Sequence, residues 1–426
     1  MLKHLTISGF KSIRKAEIDF GRVNMFIGGN GSGKSNILEA LGVLSAALKD
    51  VSMAELRRHG VRQSPPVMFK SAFRNLELKH YFKLESSFDG NVHYDVSIQA
   101  GQNLGSLRYF SERFRVDSKS YLGRGQNGVR VESLATNKRD IDETRGLWDR
   151  FREVVDVPEV LEVELNRMGR FAIYSPQTPF LRGVSSETDP LEPVGLFGTG
   201  LPRAADALQN ARASLGLRVR LGKAELSTKL ELFLKILNIV RAPGWNHGFS
   251  VARFNPELVS TQVQTSDALL YFIDKHMKRG RDRLSAYDAS EGTLYLLFMA
   301  VLILHPDVPK IFALDNVDNA LNPAMTTRML STLIEATCSP EFKEEGIGPE
   351  QVFLTSHNPT ALDAFDLFDD DQRVFVVSRS DKTGETVVTR LKPAEGWTRT
   401  DWIKAAGGKA LSELWIEDRI KGALGG

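Results

Sequence analysis

Eight consecutive residues near the start of the chain, Gly28-Gly29-Asn30-Gly31-Ser32-Gly33-Lys34-Ser35, have the types and spacing that cradle a polyphosphate. Glycines let the main chain wrap its N–H groups around phosphate oxygens. Lys34 then reaches the β- and γ-phosphates, and the Ser35 hydroxyl is set to ligate Mg²⁺. Residues 23–27, before the loop, read as a short buried strand, and residues 35–41, after it, open an amphipathic helix. That order puts phosphate on a helix N-terminus, where unpaired N–H groups and the dipole favour an anion. A plain Gly-rich turn would not need all eight positions matched.

Three later segments carry related chemistry. Ile311-Phe312-Ala313-Leu314-Asp315 is an apolar strand ending in a carboxylate. Beside the loop, Asp315 would hold the Mg²⁺ shell through water or Ser35. Thr355-Ser356-His357-Asn358-Pro359 follows the next strand. His357 there can reach a γ-phosphate or orient a water, or it is an ordinary surface residue where Pro359 turns the chain. Asp288-Ala289-Ser290-Glu291-Gly292-Thr293 precedes an apolar helix at 294–304. Ser290 or Thr293 can cap that helix, and Gly292 allows close backbone approach. Presented to a nucleotide held by a second copy, the same helix start would complete a site across an interface.

The elements that must position these groups fall into three stretches. Strand signals at 3–8 and 16–20 precede the loop and its helix. Alternation with period two at 76–88, 92–99 and 107–116 predicts antiparallel strands, with Asp89-Gly90-Asn91 as a hairpin turn. Residues 118–145 are rich in Gly, Ser, Asn and charge and read as a loop. Helices are expected at 145–155, 202–215 and 224–240, and a buried strand at 170–175. From residue 284 the order is helix, strand, helix, strand, helix, strand, strand, with strands at 308–314, 352–355 and 373–378. Such alternation predicts a parallel sheet with crossover helices, so both ends of the chain build one lobe around an inserted second lobe.

Composition narrows the function classes. The chain has 426 residues, 42% hydrophobic and 25% charged, with 55 basic and 53 acidic residues and a formal net charge of +2. That is a globular balance, and it gives no overall charge with which to grip nucleic acid. Cys338 is the single cysteine, and the eight histidines show no metal-ligand spacing, so neither a disulfide nor a zinc site is expected. The opening residues alternate like a strand rather than a targeting segment, and the run at 294–304 is too short to span a bilayer. A cytoplasmic location is expected.

Together the segments resemble the ATP-binding-cassette ATPases of the SMC, RecF and OLD-nuclease kind. Leu5-Thr6-Ile7-Ser8-Gly9-Phe10-Lys11-Ser12-Ile13 is similar to the family's opening, and Gly28 to Asn36 to its GxNGSGKSN loop. Ser290-Glu291-Gly292-Thr293 is similar to its signature motif, Ile311–Asp315 to its Walker B strand, and His357 to its switch histidine. The resemblance implies an α/β fold: a P-loop head with a mixed parallel sheet, an antiparallel β subdomain and an inserted, mainly helical lobe. The implied division is 1–75 and 281–426 for the head, 76–135 for the β subdomain and 136–280 for the helical lobe. ATP and Mg²⁺ are the implied cofactors. Lys11, Asn30, Gly31, Ser32, Gly33, Lys34, Ser35 and Asn36 would contact nucleotide, with Ser290 and Gly292 from the opposite copy. Ser35 and Asp315 would serve the metal, and Asp315, Asn316, Asp318 and His357 the chemistry.

The size and the ending Leu411-Ser412-Glu413-Leu414-Trp415 look most like the stand-alone ATPases of bacterial antiphage systems of the Septu, PARIS and retron-associated type. That implies a homodimer or larger homo-oligomer controlling a nuclease or toxin effector encoded nearby. A RecF- or SMC-like repair ATPase that binds duplex DNA is the alternative. One departure matters. The family places a glutamate after the Walker B aspartate, and here the row is Asp315-Asn316-Val317-Asp318. An amide orients water but cannot take its proton, and general-base help is worth about 10²–10⁴-fold. Asp318 substitutes if the turn brings it round; otherwise hydrolysis is slow. Gln177, in Tyr174-Ser175-Pro176-Gln177, is a candidate for the family's metal-sensing glutamine, against the reading of a simple loop residue.

Overall fold

The computed structural model describes residues 1–74, 76–101, 105–125, 128–131, 142–223, 226–253, 259 and 268–420. β1 (Leu2–Phe10) and β2 (Ile13–Asp19) pair antiparallel, and alternate residues such as Leu5, Ile7, Ala16 and Ile18 are buried. β3 (Val23–Ile27) differs, because all five of its side chains are buried. That is the mark of a parallel strand covered on both faces. α1 (Lys34–Ala46) and the short α2 (Met53–Arg58) follow. Then come β4 (Tyr81–Phe88), β5 (Val92–Ala100), β6 (Leu107–Val116), β7 (Lys119–Gly125) and β8 (Gly128–Val131). These five continue β1 into one antiparallel sheet of order β2-β1-β4-β5-β6-β7-β8. Gly90 and Asn91 take φ of 68° and 54° at the β4–β5 turn, where Gly and Asn bear the left-handed region at least cost. The sheet is tied to the loop helix. The hydroxyls of Tyr94 and Tyr109 both donate to the Ala47 carbonyl, at 3.0 and 2.6 Å, satisfying an acceptor that the end of α1 leaves open.

The middle of the chain supplies α3 (Leu147–Phe151), α4 (Glu159–Met168), β9 (Ala172–Tyr174), α5 (Thr178–Leu181), α6 (Leu201–Arg220) and α7 (Ser227–Leu237). β10 (Asn246–Arg253), β11 (Ala268–Asp274) and β12 (Arg283–Ser285) form a small antiparallel sheet. α8 (Glu291–Leu304) is buried at every residue from Thr293 onward, as a helix that is apolar all round must be. β13 (Ile311–Leu314), α9 (Pro323–Cys338), β14 (Gln351–Ser356), β15 (Gln372–Arg379) and β16 (Thr386–Leu391) complete the head.

The head sheet has the order β16-β15-β3-β14-β13-β9. β15, β3, β14, β13 and β9 run parallel, and β16 closes one edge antiparallel. Residues from both ends of the chain thus share one sheet, as the alternation after residue 284 predicts. The carboxyl ends of β3, β14 and β13 lie side by side, with Ile27 opposite Ser356 and Leu354 opposite Leu314. In open α/β sheets ligands bind at that edge.

Several expectations need correcting. β7 and β8 occupy part of the stretch read as a loop at 118–145, while 132–141 lies outside the described residues. Their Gly and Arg content hid a hairpin held by pairing to β6. β10, β11 and β12 fall in or beside the stretch read as mainly helical, and β9 leaves that stretch to join the head sheet. The helix expected at 145–155 shrinks to α3, and α4 follows unforeseen. Residues 224 and 225, where the next helix was expected to begin, lie outside the described residues. Between β14 and β15 the expected helix is a 3₁₀ segment, Pro359–Ala364.

Candidate functional site

The loop between β3 and α1 is held from behind and open in front. A Cβ on Gly28 would lie 2.0 Å from the Val377 carbonyl oxygen, and one on Gly33 would lie 2.1 Å from Thr386 Oγ1. Glycine is obligatory at both. At Gly29 and Gly31 a Cβ would meet nothing within 4 Å, so that face is free for a ligand. Asn30 and Gly31 are exposed at the tip, and Gly31 and Gly33 have φ of 75° and 110°. α1 carries no side-chain cap, leaving its first N–H groups for an anion. Ser32 Oγ is buried with no hydrogen-bond partner among the described residues. An uncapped helix, an open glycine face and an orphaned hydroxyl fit a polyphosphate. Lys34 donates to the carbonyls of Gly28 and Gly29 at 2.7 and 3.0 Å. Burial lowers its ammonium pKa, and Asp315 and Asp318 pull the other way.

Asp315 is the hub at the end of β13. Ser35 Oγ donates to both of its carboxylate oxygens, at 3.2 and 3.1 Å, and Thr355 Oγ1 donates to Oδ1 at 2.5 Å. A hydroxyl and a carboxylate converging on one point are the donor set expected for Mg²⁺ in this class of site. The next residue, Asn316, has a φ of 56°, and its N–H donates to Thr355 Oγ1 at 2.8 Å. Asn tolerates that left-handed conformation; glutamate does so poorly. The departure at this position therefore has a backbone counterpart. Asp318 is turned inward, its side chain 2% exposed, with Oδ2 3.6 Å from Nδ1 of the half-exposed His357. It stands behind the histidine.

Other expected contacts go elsewhere. The Lys11 ammonium is committed to Glu39 on α1 and lies 4.9 Å from the Phe69 ring centre. Asn36 donates to Ser12 Oγ at 2.7 Å and accepts from Arg62 at 3.2 Å. Both brace the loop in this structure. Ser12 and Thr386 share a hydroxyl–hydroxyl bond of 2.7 Å, and Thr386 Oγ1 donates to the Ser32 carbonyl at 2.9 Å. Sequence reasoning did not single out Thr386 or Thr355. Thr355 sits inside a quoted motif, whereas nothing local marks Thr386.

Ser290 caps α8, accepting from the Thr293 N–H at 3.4 Å. Ser290 and Glu291 are exposed, and Thr178 donates to Glu291. A Cβ on Gly292 would lie 3.0 Å from the Ala320 carbonyl oxygen, so α8 starts against the turn that follows Asp318. Glu291 and Gly292 meet α5 and this turn. Gln177 occupies the N-cap position of α5, three residues beyond β9, without a side-chain capping bond, and the Asp315 N–H donates to the Tyr174 carbonyl at 2.9 Å. The glutamine is exposed on the same sheet edge as Asp315. Beside Ser35 and Asp315 opens a cavity of about 520 Å³, with Arg57, Arg58 and Arg62 on one wall and Phe180 and Phe197 on another.

Residues 1–100 match the family described as "AAA ATPase domain", and residues 225–363 match the one described as "AAA domain, putative AbiEii toxin, Type IV TA system". Two separate stretches of the chain therefore match AAA-type ATPase domains. Among curated proteins, a DNA replication and repair protein RecF of Heliobacterium modesticaldum is 25% identical over 223 residues, covering 45% of this chain and 59% of that protein. A RecF of Magnetococcus marinus is 44% identical over 62 residues, or 14% of this chain and 16% of that protein. A DNA repair protein RecN of Xylella fastidiosa is 42% identical over 65 residues, or 15% of this chain and 11% of that protein. The chain thus spans at most about three fifths of the length of these relatives. A solved structure titled "Structure of the recombination mediator protein RecF-ATPrS in RecFOR pathway" aligns over 92% of this chain and 98% of that one, at 13% identity and a TM-score of 0.36. The sequence matches support a P-loop ATPase of the SMC/RecF-like type. Among the described residues no helix is long and apolar enough to cross a membrane, and no group of three or more His, Cys, Asp or Glu is placed to hold a metal.

Proposed function

We propose that this chain binds ATP with Mg²⁺ in the β3–α1 loop, hydrolyses it slowly, and closes on it as a dimer that controls a protein effector of antiphage defence. The observation that carries the nucleotide reading is the convergence of Ser35, Thr355 and Asp315 beside an uncapped helix N-terminus. Mg²⁺, when bound there, neutralises phosphate charge. Lys34 exchanges its loop carbonyls for β- and γ-phosphate oxygens. Hydrolysis needs a water to attack the γ-phosphorus, the bond to the ADP oxygen to break, and a proton to leave the water. Asn316 orients that water without accepting the proton, and His357, with Asp318 behind it, is the group left to take it.

The exposed start of α8 supports closure between copies. Ser290 and Glu291 lie on the surface with their inner side packed on the turn after Asp318. The antiparallel sheet and the helices from α3 to α7 move with such closure, and that surface is where an effector is proposed to dock. Coupling then comes from different effector affinity in the two nucleotide states. The test is calorimetry with ATP and Mg²⁺, followed by copurification of the native protein with neighbouring gene products. A nuclease or toxin held in only one nucleotide state supports the reading.

A second reading, a repair ATPase that binds duplex DNA, is favoured by the likeness to RecF and RecN. Fluorescence anisotropy with a DNA duplex separates the two. A steep fall of log affinity with log salt in the presence of ATP reports several phosphate contacts and supports the DNA reading.

A further inference from the structure

Like Ser32 Oγ, Tyr295 Oη on α8 and Asp318 Oδ1 on the turn after β13 are buried with no hydrogen-bond partner among the described residues. Such orphans are rare in folded proteins and call for an explanation. They are complementary, one being an O–H donor and the other a carboxylate acceptor. The elements that carry them pack together. Gly292 on α8 abuts Ala320 and Leu321 of that turn, and Tyr295, three residues on, lies on the same face of the helix. Burial raises the Tyr295 hydroxyl pKa, and the charge on Asp318 adds to the rise. The other oxygen of Asp318 faces Nδ1 of His357 at 3.6 Å.

We propose that Tyr295 is a positioning residue for His357: when the site closes on nucleotide, its hydroxyl donates to Asp318 Oδ1, directly or through one water, and locks the carboxylate that aims the histidine. The relay joins the helix whose exposed start bears Ser290 to the histidine proposed to take the proton. Contact made at α8 by a second copy thereby reaches the chemistry inside the first. The inference rests on the ATPase reading of the site and adds the residue that couples its two halves.

Tyr295→Phe removes one oxygen and keeps the ring. It is expected to lower kcat about tenfold with KM within about twofold, the split of an interaction made only in the transition state. Asp318→Asn is expected to do likewise, and the double variant to be no slower than Asp318→Asn alone. The thermal midpoint of nucleotide-free Tyr295→Phe is expected to hold or rise, because an unpartnered hydroxyl has been removed. Wild-type turnover in Tyr295→Phe, or additive losses in the double variant, would overturn the relay. A wild-type protein that binds ATP but turns none over would overturn it too, leaving the nucleotide site intact. One that binds no ATP would sink the site reading itself.

Discussion

Lys34 spends its ammonium on two loop carbonyls in this structure, so binding a triphosphate exchanges neutral acceptors for charged ones, which bond about twice as strongly. Lys34→Ala is expected to weaken ATP binding more than about tenfold, or about 1.4 kcal/mol, by calorimetry. Asn316 poses a different trade. A glutamate there supplies the missing base but must adopt a φ of 56°, at a cost of about 1 kcal/mol. Asn316→Glu is therefore expected to raise kcat while lowering the unfolding free energy by about that amount in urea melts. Unchanged turnover would mean that the side chain does not reach the attacking water. The placement of the loop, Asp315 and His357, each just after an apolar strand, was legible from sequence. Thr386 was not, because its bonds run to Ser12 and Ser32, far away in the chain.

At the scale of elements, β3 and β13 were readable as short apolar runs ending in chemistry. β7, β8 and β10 to β12 were not, because their pattern is weak and their pairing supplies what local propensity lacks. The antiparallel sheet meets the end of α1 through a buried group with a testable consequence. Glu112 is fully enclosed, bonded by Tyr94 and Leu147 and paired with Arg124 at 3.0 Å. Burial pushes its carboxyl up to about 7 against the pull of Arg124. An acid whose folded pKa is raised contributes its stability at low pH and loses it as pH climbs from the ordinary glutamate value through about 7. Unfolding free energy is therefore expected to drop by on the order of 2–3 kcal/mol between pH 5 and pH 8 relative to Glu112→Gln. Parallel pH profiles for the two proteins in urea would refute this. At α8, the backbone contact of Gly292 with Ala320 makes substitution there disturb the turn itself, so Ser290, exposed at the cap, is the cleaner probe of an interface.

For the whole molecule, one sheet gathers strands from both ends of the chain, and everything between them rides on it. α8 belongs to the same core as β13 and β14 yet shows its first turn to solvent. Two copies are proposed to close on ATP through this exposed start. Sedimentation velocity of wild type, Lys34→Ala and Ser290→Arg, each with and without ATP and Mg²⁺, tests this closure most directly. Ser290→Arg puts bulk at the helix start for about 1 kcal/mol of lost capping and leaves the phosphate loop untouched. ATP is expected to shift wild type to a dimer and neither variant, while Ser290→Arg still binds ATP. A wild type of the same size with and without nucleotide, or a Ser290→Arg protein that dimerises on ATP as wild type does, would contradict it.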